Sequence, residues 1–199
     1  MKTSPPRALL HLTLVAAWLA WGCLGSSALT RLYVLAPMEG TPESGAPAMS
    51  VGVGPVALAG YLDRPQIVTR PSADSIDLAE FDQWGEPLRD GISRVLAEDL
   101  SRQLPAAKIS VFPSRGSGSV RYRVEVDVMR FDGPVGGETT LEARWRILDD
   151  ASGKELAGQT SLRTEAAGGA GYARTVSAMS RALAGLSQEI ADSLVALPQ

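Results

Sequence analysis

The chain has 199 residues, 45% hydrophobic and 21% charged, with 19 Lys and Arg against 22 Asp and Glu and a formal net charge of −3. That length suits one ordinary globular domain plus a short extra segment, and it can bury a core without disulfide staples. The charge balance gives no broad positive field, which argues against nucleic acid as a partner.

The extra segment comes first. Lys2 and Arg7 precede an uncharged run from Ala8 to Gly22, ALLHLTLVAAWLAWG. As a helix it would rise about 22 Å, short of the roughly 30 Å hydrocarbon core of a bilayer. A basic start, an apolar run of this length and small residues at its end match a secretory signal peptide over residues 1–22. The run is apolar on every face, unlike a helix that packs one side on a domain.

Cys23, the only cysteine, has no partner for an internal disulfide. Its place after Gly22 resembles a bacterial lipobox, in which the cysteine is acylated and becomes the new N-terminus. Ala20 and Trp21 depart from the usual pattern, with Leu19 displaced by one. The alternative is cleavage after Ser26-Ser27-Ala28, releasing a soluble chain. Removal of Lys2 and Arg7 would leave 17 basic against 22 acidic residues, so membrane attachment would rest on acyl chains. One chain binds only marginally, and a triacylated cysteine supplies more than one.

Residues 23–49 read as the lipidated N-terminus and a linker, with Leu32–Leu35 a possible first strand and Glu39–Ala48 a Gly/Pro/Ser-rich loop. Residues 50–199 read as a single domain. Ser50–Leu58 is a strand with glycines, weakened or ended by Pro55. Gln66–Arg70 and Ile76–Phe81 are strands of a hairpin around the turn Pro71-Ser72-Ala73-Asp74-Ser75. Trp84, Leu88, Ile92, Val95, Leu96 and Leu100 then recur at three and four residues, predicting a helix capped by Asp82, with Pro87 in its first turn and a stop at Leu104-Pro105.

Ile109–Phe112 is a short strand. In Tyr122–Met129, Tyr122, Val124, Val126 and Val128 alternate with charged residues, and Leu141, Ala143, Trp145 and Ile147 do the same further on. Period two places one face in a core and one toward water or a neighbour. Asp149–Gly153 is a turn and Glu155–Leu162 the return strand. Val176, Met179, Leu183, Leu186, Ile190 and Leu194 predict a last helix over about Tyr172–Leu194. The expected fold is α+β: a two-layer, mixed and largely antiparallel sheet with two long helices packed on one face. Parallel pairing is possible where the first helix links its flanking strands, because a crossover of that length becomes available.

The chemical inventory is short. The only histidine, His11, lies in the signal run and the only cysteine at the processing site. A Ser-His-Asp arrangement and Cys/His metal sites are thereby excluded from the mature domain, and no cofactor is expected. Asp77, Glu80 and Asp82, and Glu125 with Asp127, lie at strand spacing, as solvated sheet faces do. Gly116-Ser117-Gly118 and Gly168-Gly169-Ala170-Gly171 lack the Gly-Lys-Ser/Thr ending of a phosphate loop.

Two motifs remain: Tyr61-Leu62-Asp63-Arg64-Pro65-Gln66-Ile67-Val68-Thr69-Arg70, and Trp84-Gly85-Glu86-Pro87-Leu88 opening a helix. Together they resemble the ABC-type transport auxiliary lipoproteins, the PqiC-like family of membrane-integrity transport components, and the order of elements fits over essentially the whole mature chain. The resemblance implies a non-catalytic lipoprotein on the periplasmic face of the outer membrane. Leu24 after the cysteine is consistent with that sorting. It further implies work beside an inner-membrane ABC permease and an MCE-domain protein that carries lipids, with homo-oligomeric rings in some members. Cys23 would be the lipidation site. Tyr61, Arg64, Pro65, Gln66, Arg70 and Trp84 are candidate partner-binding residues, and the competing reading is architectural, with Pro65 fixing the strand entry and the arginines pairing with nearby carboxylates. A carrier that itself holds a lipid, and a structural envelope protein, are the other functional readings. If Leu32 begins the fold, about nine residues tether it, at most roughly 30 Å when extended, so the domain stays close to its membrane.

Overall fold

The computed structural model describes residues 29–37, 42, 47–113 and 119–198. The signal run, Cys23, most of the 39–48 loop and Gly116-Ser117-Gly118 lie outside the described residues. The described elements are β1 (Arg31–Tyr33), β2 (Ser50–Leu58), β3 (Gln66–Ser72), β4 (Ser75–Trp84), α1 (Leu88–Gln103), β5 (Lys108–Val111), β6 (Tyr122–Asp132), β7 (Glu138–Asp149), β8 (Glu155–Ala166) and α2 (Tyr172–Val195).

The α+β class and the mixed sheet are as expected. The strands form two hydrogen-bonded sheets, ordered β1-β4-β3 and β5-β2-β6-β7-β8. The longest ladders are antiparallel, β6 with β7, which follows from alternation, and β7 with β8, which follows from the turn between them. Tyr122, Val124, Val126 and Val128 face the core with Leu141, Ala143, Trp145 and Ile147. On the opposite face Glu125 pairs with Arg146 at 2.6 Å and Asp127 with Arg144 at 2.9 Å. Opposite charges directly across a ladder stabilise the register, and these carboxylates belong to a charged outer face.

Parallel pairing occurs, but not between the strands flanking α1, since β4 and β5 lie in different sheets. The chain instead returns β5 to β2, and β2 also pairs in parallel with β6. Pro55 does not end β2. The ladder shifts register between Val53 and Val56, so the residue without an N–H sits exposed at an irregularity, where it removes no ladder bond.

The hairpin is longer than its sequence suggests, with only Ala73 and Asp74 between the strands. Strand β4 continues through Asp82 to Trp84, so neither residue belongs to the helix, and Asp82 is no cap. The reason is Pro87: the residue before a proline is disfavoured in helical conformation, so Glu86 cannot open the helix. Pro87 itself takes the N-cap position with φ −52° and ψ 129°. Helix α2 spans the predicted segment. Gly171 precedes it at φ 91°, a backbone conformation that suits glycine.

The core lies between the helices and the large sheet. Ile92, Val95, Leu96 and Leu100 of α1, Met179, Leu183, Leu186 and Ile190 of α2, and Val124, Trp145 and Ile147 of the sheet are no more than 1% exposed. Burying a large apolar side chain contributes about 1.5–3 kcal/mol, so this layer dominates stability. Between the helices, Ser187 Oγ donates to the buried Asp99 Oδ2 at 3.1 Å.

Candidate functional site

The loop from Ala59 to Pro65 is pinned at both ends. Ala59 N–H donates to Val128 O at 2.9 Å, and Leu62, 1% exposed, plugs its underside. At the far end Trp84 N–H donates to Pro65 O at 2.7 Å, and Gly85 N–H donates to Tyr33 O at 2.8 Å. These bonds set the two sequence motifs side by side. Asp63, Arg64 and Pro65 form one wall of a surface pocket of about 400 Å³, and the segment from Trp84 to Leu88 forms the other.

The pocket is mostly apolar at its base, where Trp84 and Leu88 are buried. Its polar groups are fixed from outside. Glu86 Oε1 accepts from Arg94 Nη2 at 2.6 Å, and the same Arg94 nitrogen donates to Leu35 O at 2.9 Å. An exposed ion pair, Arg89 with Asp63 at 2.9 Å, stands at the rim. Arg64 Nε is buried in the wall and has no hydrogen-bond partner among the described residues.

Tyr61 and Arg70 lie elsewhere and converge on Asp132, which is 1% exposed. Tyr61 Oη donates to Oδ2 at 2.6 Å, while Arg70 Nε and Arg130 Nε each donate to Oδ1 at 2.9 Å. Arg70 also donates from Nη1 to Ala73 O at 3.1 Å and lies over the Tyr61 ring, 5.4 Å from its centre. Its backbone N–H donates to Gly133 O at 2.9 Å. This cluster fastens the hairpin sheet to the end of β6. Burial would raise the Asp132 carboxyl, and the bonds from Arg70, Tyr61 and Arg130 outweigh it and hold the group below the ordinary aspartate value. Burial first, then the bond to Asp132, pushes the Tyr61 hydroxyl up.

Asp82 is a second buried carboxylate of this kind. It accepts from Arg31 Nη2 at 2.8 Å and Tyr33 Oη at 2.7 Å, joining β1 to β4. Its carboxyl too lies below the ordinary value, burial being outweighed by those two bonds.

The six candidate binding residues therefore separate. Arg64, Pro65 and Trp84 meet in the pocket, Tyr61 and Arg70 brace Asp132, and Gln66 sits between them, half-buried opposite Gln83. Cys23 is outside the described residues. Sequence reasoning missed Asp132, whose signal was the end of alternation at Met129 followed by Asp-Gly-Pro. Among the described residues no grouping of His, Cys, Asp and Glu is suited to hold a metal, and no helix is long and apolar enough to cross a membrane.

Residues 33–191 match the model of a family described as the ABC-type transport auxiliary lipoprotein component. The intermembrane transport lipoprotein PqiC of Escherichia coli (strain K12) is 26% identical over 137 residues, which is 68% of this chain and 71% of that protein. The protein of the same name from Shigella flexneri matches to the same extent. Among solved structures, an uncharacterized protein superposes with a TM-score of 0.71 at 22% identity, covering 83% of this chain and 99% of its own. A Xanthomonas campestris protein does so with a TM-score of 0.68 at 17% identity, covering 81% and 92%. Both structural likenesses concern the fold.

Proposed function

The chain belongs to the ABC-type transport auxiliary lipoprotein component family, and from that membership we propose that it is a non-catalytic accessory subunit of a lipid transport system, held at the outer membrane by acylated Cys23 and docking to an MCE-domain protein. In this reading the transport system supports envelope integrity, with an inner-membrane ABC permease supplying the energy. An anchored domain on a short tether does not cross the periplasm, so an extended partner must reach it.

One observation carries the docking assignment: the two motifs that mark the sequence line a single pocket, although Arg64 lies in the loop before β3 and Trp84 ends β4. The pocket joins an apolar floor at Trp84 and Leu88 to polar walls from Asp63, Arg64 and Glu86, the combination that suits insertion of an apolar side chain flanked by polar contacts. Arg64, Pro65 and Trp84 are the contact residues, and Tyr61 and Arg70 act by holding the hairpin in place. The space between helices and sheet is filled by Leu96, Leu100, Leu183, Leu186 and Trp145, each at most 1% exposed, which favours docking over carriage of a lipid inside the fold.

Purification of the full-length chain from solubilised envelopes tests the proposal. The expected result is an acylated N-terminus by intact mass and an MCE-domain protein in the eluate. A chain beginning at Leu29 without acyl mass contradicts the anchor, and an eluate free of MCE protein contradicts the partner.

A further inference from the structure

The small sheet leaves an apolar face uncovered. Asp82 and Trp84 point inward from β4, and they pair with Arg31 and Tyr33 of β1. By alternation Leu32 and Val34 point outward, and they are 67% and 54% exposed. A Cβ placed on Gly85 would lie 3.2 Å from Val34 Cγ1 and 3.8 Å from the Leu32 Cβ, so the two side chains sit together over that glycine.

Strand β4 extends the face by way of a bulge. Opposite β3 its register runs from Val68↔Leu78 to Gln66↔Gln83, five residues against two. The bulge shifts the parity of the strand, because Ala79 and Asp82, three apart, are both inward and buried. Leu78 before the shift and Phe81 after it consequently share the outer side with Ile76, at 46%, 37% and 38% exposure. Without the shift an apolar side chain would fall on each face.

We propose that this face, Leu32, Val34, Ile76, Leu78 and Phe81, rests on the phospholipid surface that holds Cys23. The inference depends on the acylation proposed above and adds an orientation to it. Six residues lead from Cys23 to Leu29, a reach of at most about 20 Å. No charged residue intervenes before Arg31, and Leu29 is itself apolar and 89% exposed. The first folded strand is thus confined to within one small-domain radius of the headgroups, and its outward side chains are those that partition into an interface. An apolar face at the interface adds buried apolar area to the attachment that the acyl chains supply. Large apolar side chains grouped on one face mark a contact surface in a soluble domain.

The test uses full-length acylated protein in vesicles of phosphatidylethanolamine and phosphatidylglycerol doped with bromine-labelled lipid. Because Cys23 is the sole cysteine and is blocked by acylation, bimane attached to Leu32→Cys, Leu78→Cys or Leu162→Cys reports one place each. Leu162 on β8 is 67% exposed, as Leu32 is, and serves as the matched control. The expected result is bromine quenching several-fold stronger at positions 32 and 78 than at 162. Equal quenching at all three in protein that floats with the vesicles overturns the orientation and leaves the anchor standing. Protein that fails to float overturns the anchor and the orientation with it. A label at 32 shielded from aqueous iodide but untouched by bromine overturns the proposal in favour of contact with another protein or a second copy.

Discussion

Arg70 and Asp132 are 62 positions apart, yet the Arg70 guanidinium meets the Asp132 carboxylate at 2.9 Å. One partner lies on the hairpin and the other at the end of β6, so the contact joins two sheets that share no ladder. Tyr61 and Arg130 complete the coordination of the carboxylate.

Removing that carboxylate strands two arginines and a hydroxyl. Asp132→Ala is expected to lower stability by about 3 kcal/mol, in the range for breaking a buried pair from one side, and Asp132→Asn by less because it still accepts from one donor. Urea unfolding measures both. Arg70→Ala should cost a similar amount, and a change under about 0.5 kcal/mol for both would mean the cluster is ornamental.

Acid should act on the same joint. The Asp132 and Asp82 carboxyls are both lowered in the folded chain, burial in each being outweighed by hydrogen bonds. A depressed carboxylate contributes stability that is fully present well above the unfolded value and is lost as pH falls through the folded one. The melting temperature is therefore expected to hold from neutrality down to about pH 5 and to fall steeply below 3.8, the ordinary aspartate value. Asp132→Asn should flatten that acid limb, and an unchanged slope in the variant would contradict the assignment.

Gly133 allows the backbone of β6 to meet β7. A Cβ there would collide with Glu138 O and press on the Thr139 backbone, and the Gly133 carbonyl also accepts from Arg70 N–H. Gly133→Ala should cost about 1–3 kcal/mol, as overpacking does. Thermal melting gives the value, and a neutral result would show that the strand ends yield more easily than the packing implies.

The antiparallel part of the large sheet, the body of the first helix and the whole of the last were legible because their residues repeat with a clean period. Val124 to Val128 and Leu141 to Ile147 alternate, and the α2 residues step by three and four, so burial could be read off directly. The two-sheet arrangement was not legible, because it depends on Arg31, Tyr33, Asp82 and Asp132 meeting across long separations. No local pattern encodes such pairs. Trp84 shows a related failure: its spacing to Leu88 fits a helix, and only the backbone restriction imposed by Pro87 separates strand from helix there. The marked motifs were visible as motifs, but that Arg64 and Trp84 share a pocket while Arg70 does not required the fold.

The exposed pocket wall offers the cleanest separation of docking from folding. Pro65 is exposed, and its carbonyl, which accepts from Trp84 N–H, survives substitution. Pro65→Glu is expected to shift stability by no more than about 1 kcal/mol, as surface changes do.

Capture of the MCE-domain protein by full-length Pro65→Glu, beside the native chain and at matched melting temperature, tests the central claim most directly. The account predicts capture by the native chain and a loss of at least tenfold in the variant, about 1.4 kcal/mol. Equal capture by a variant that melts like the native protein would contradict it and move the docking surface away from the pocket.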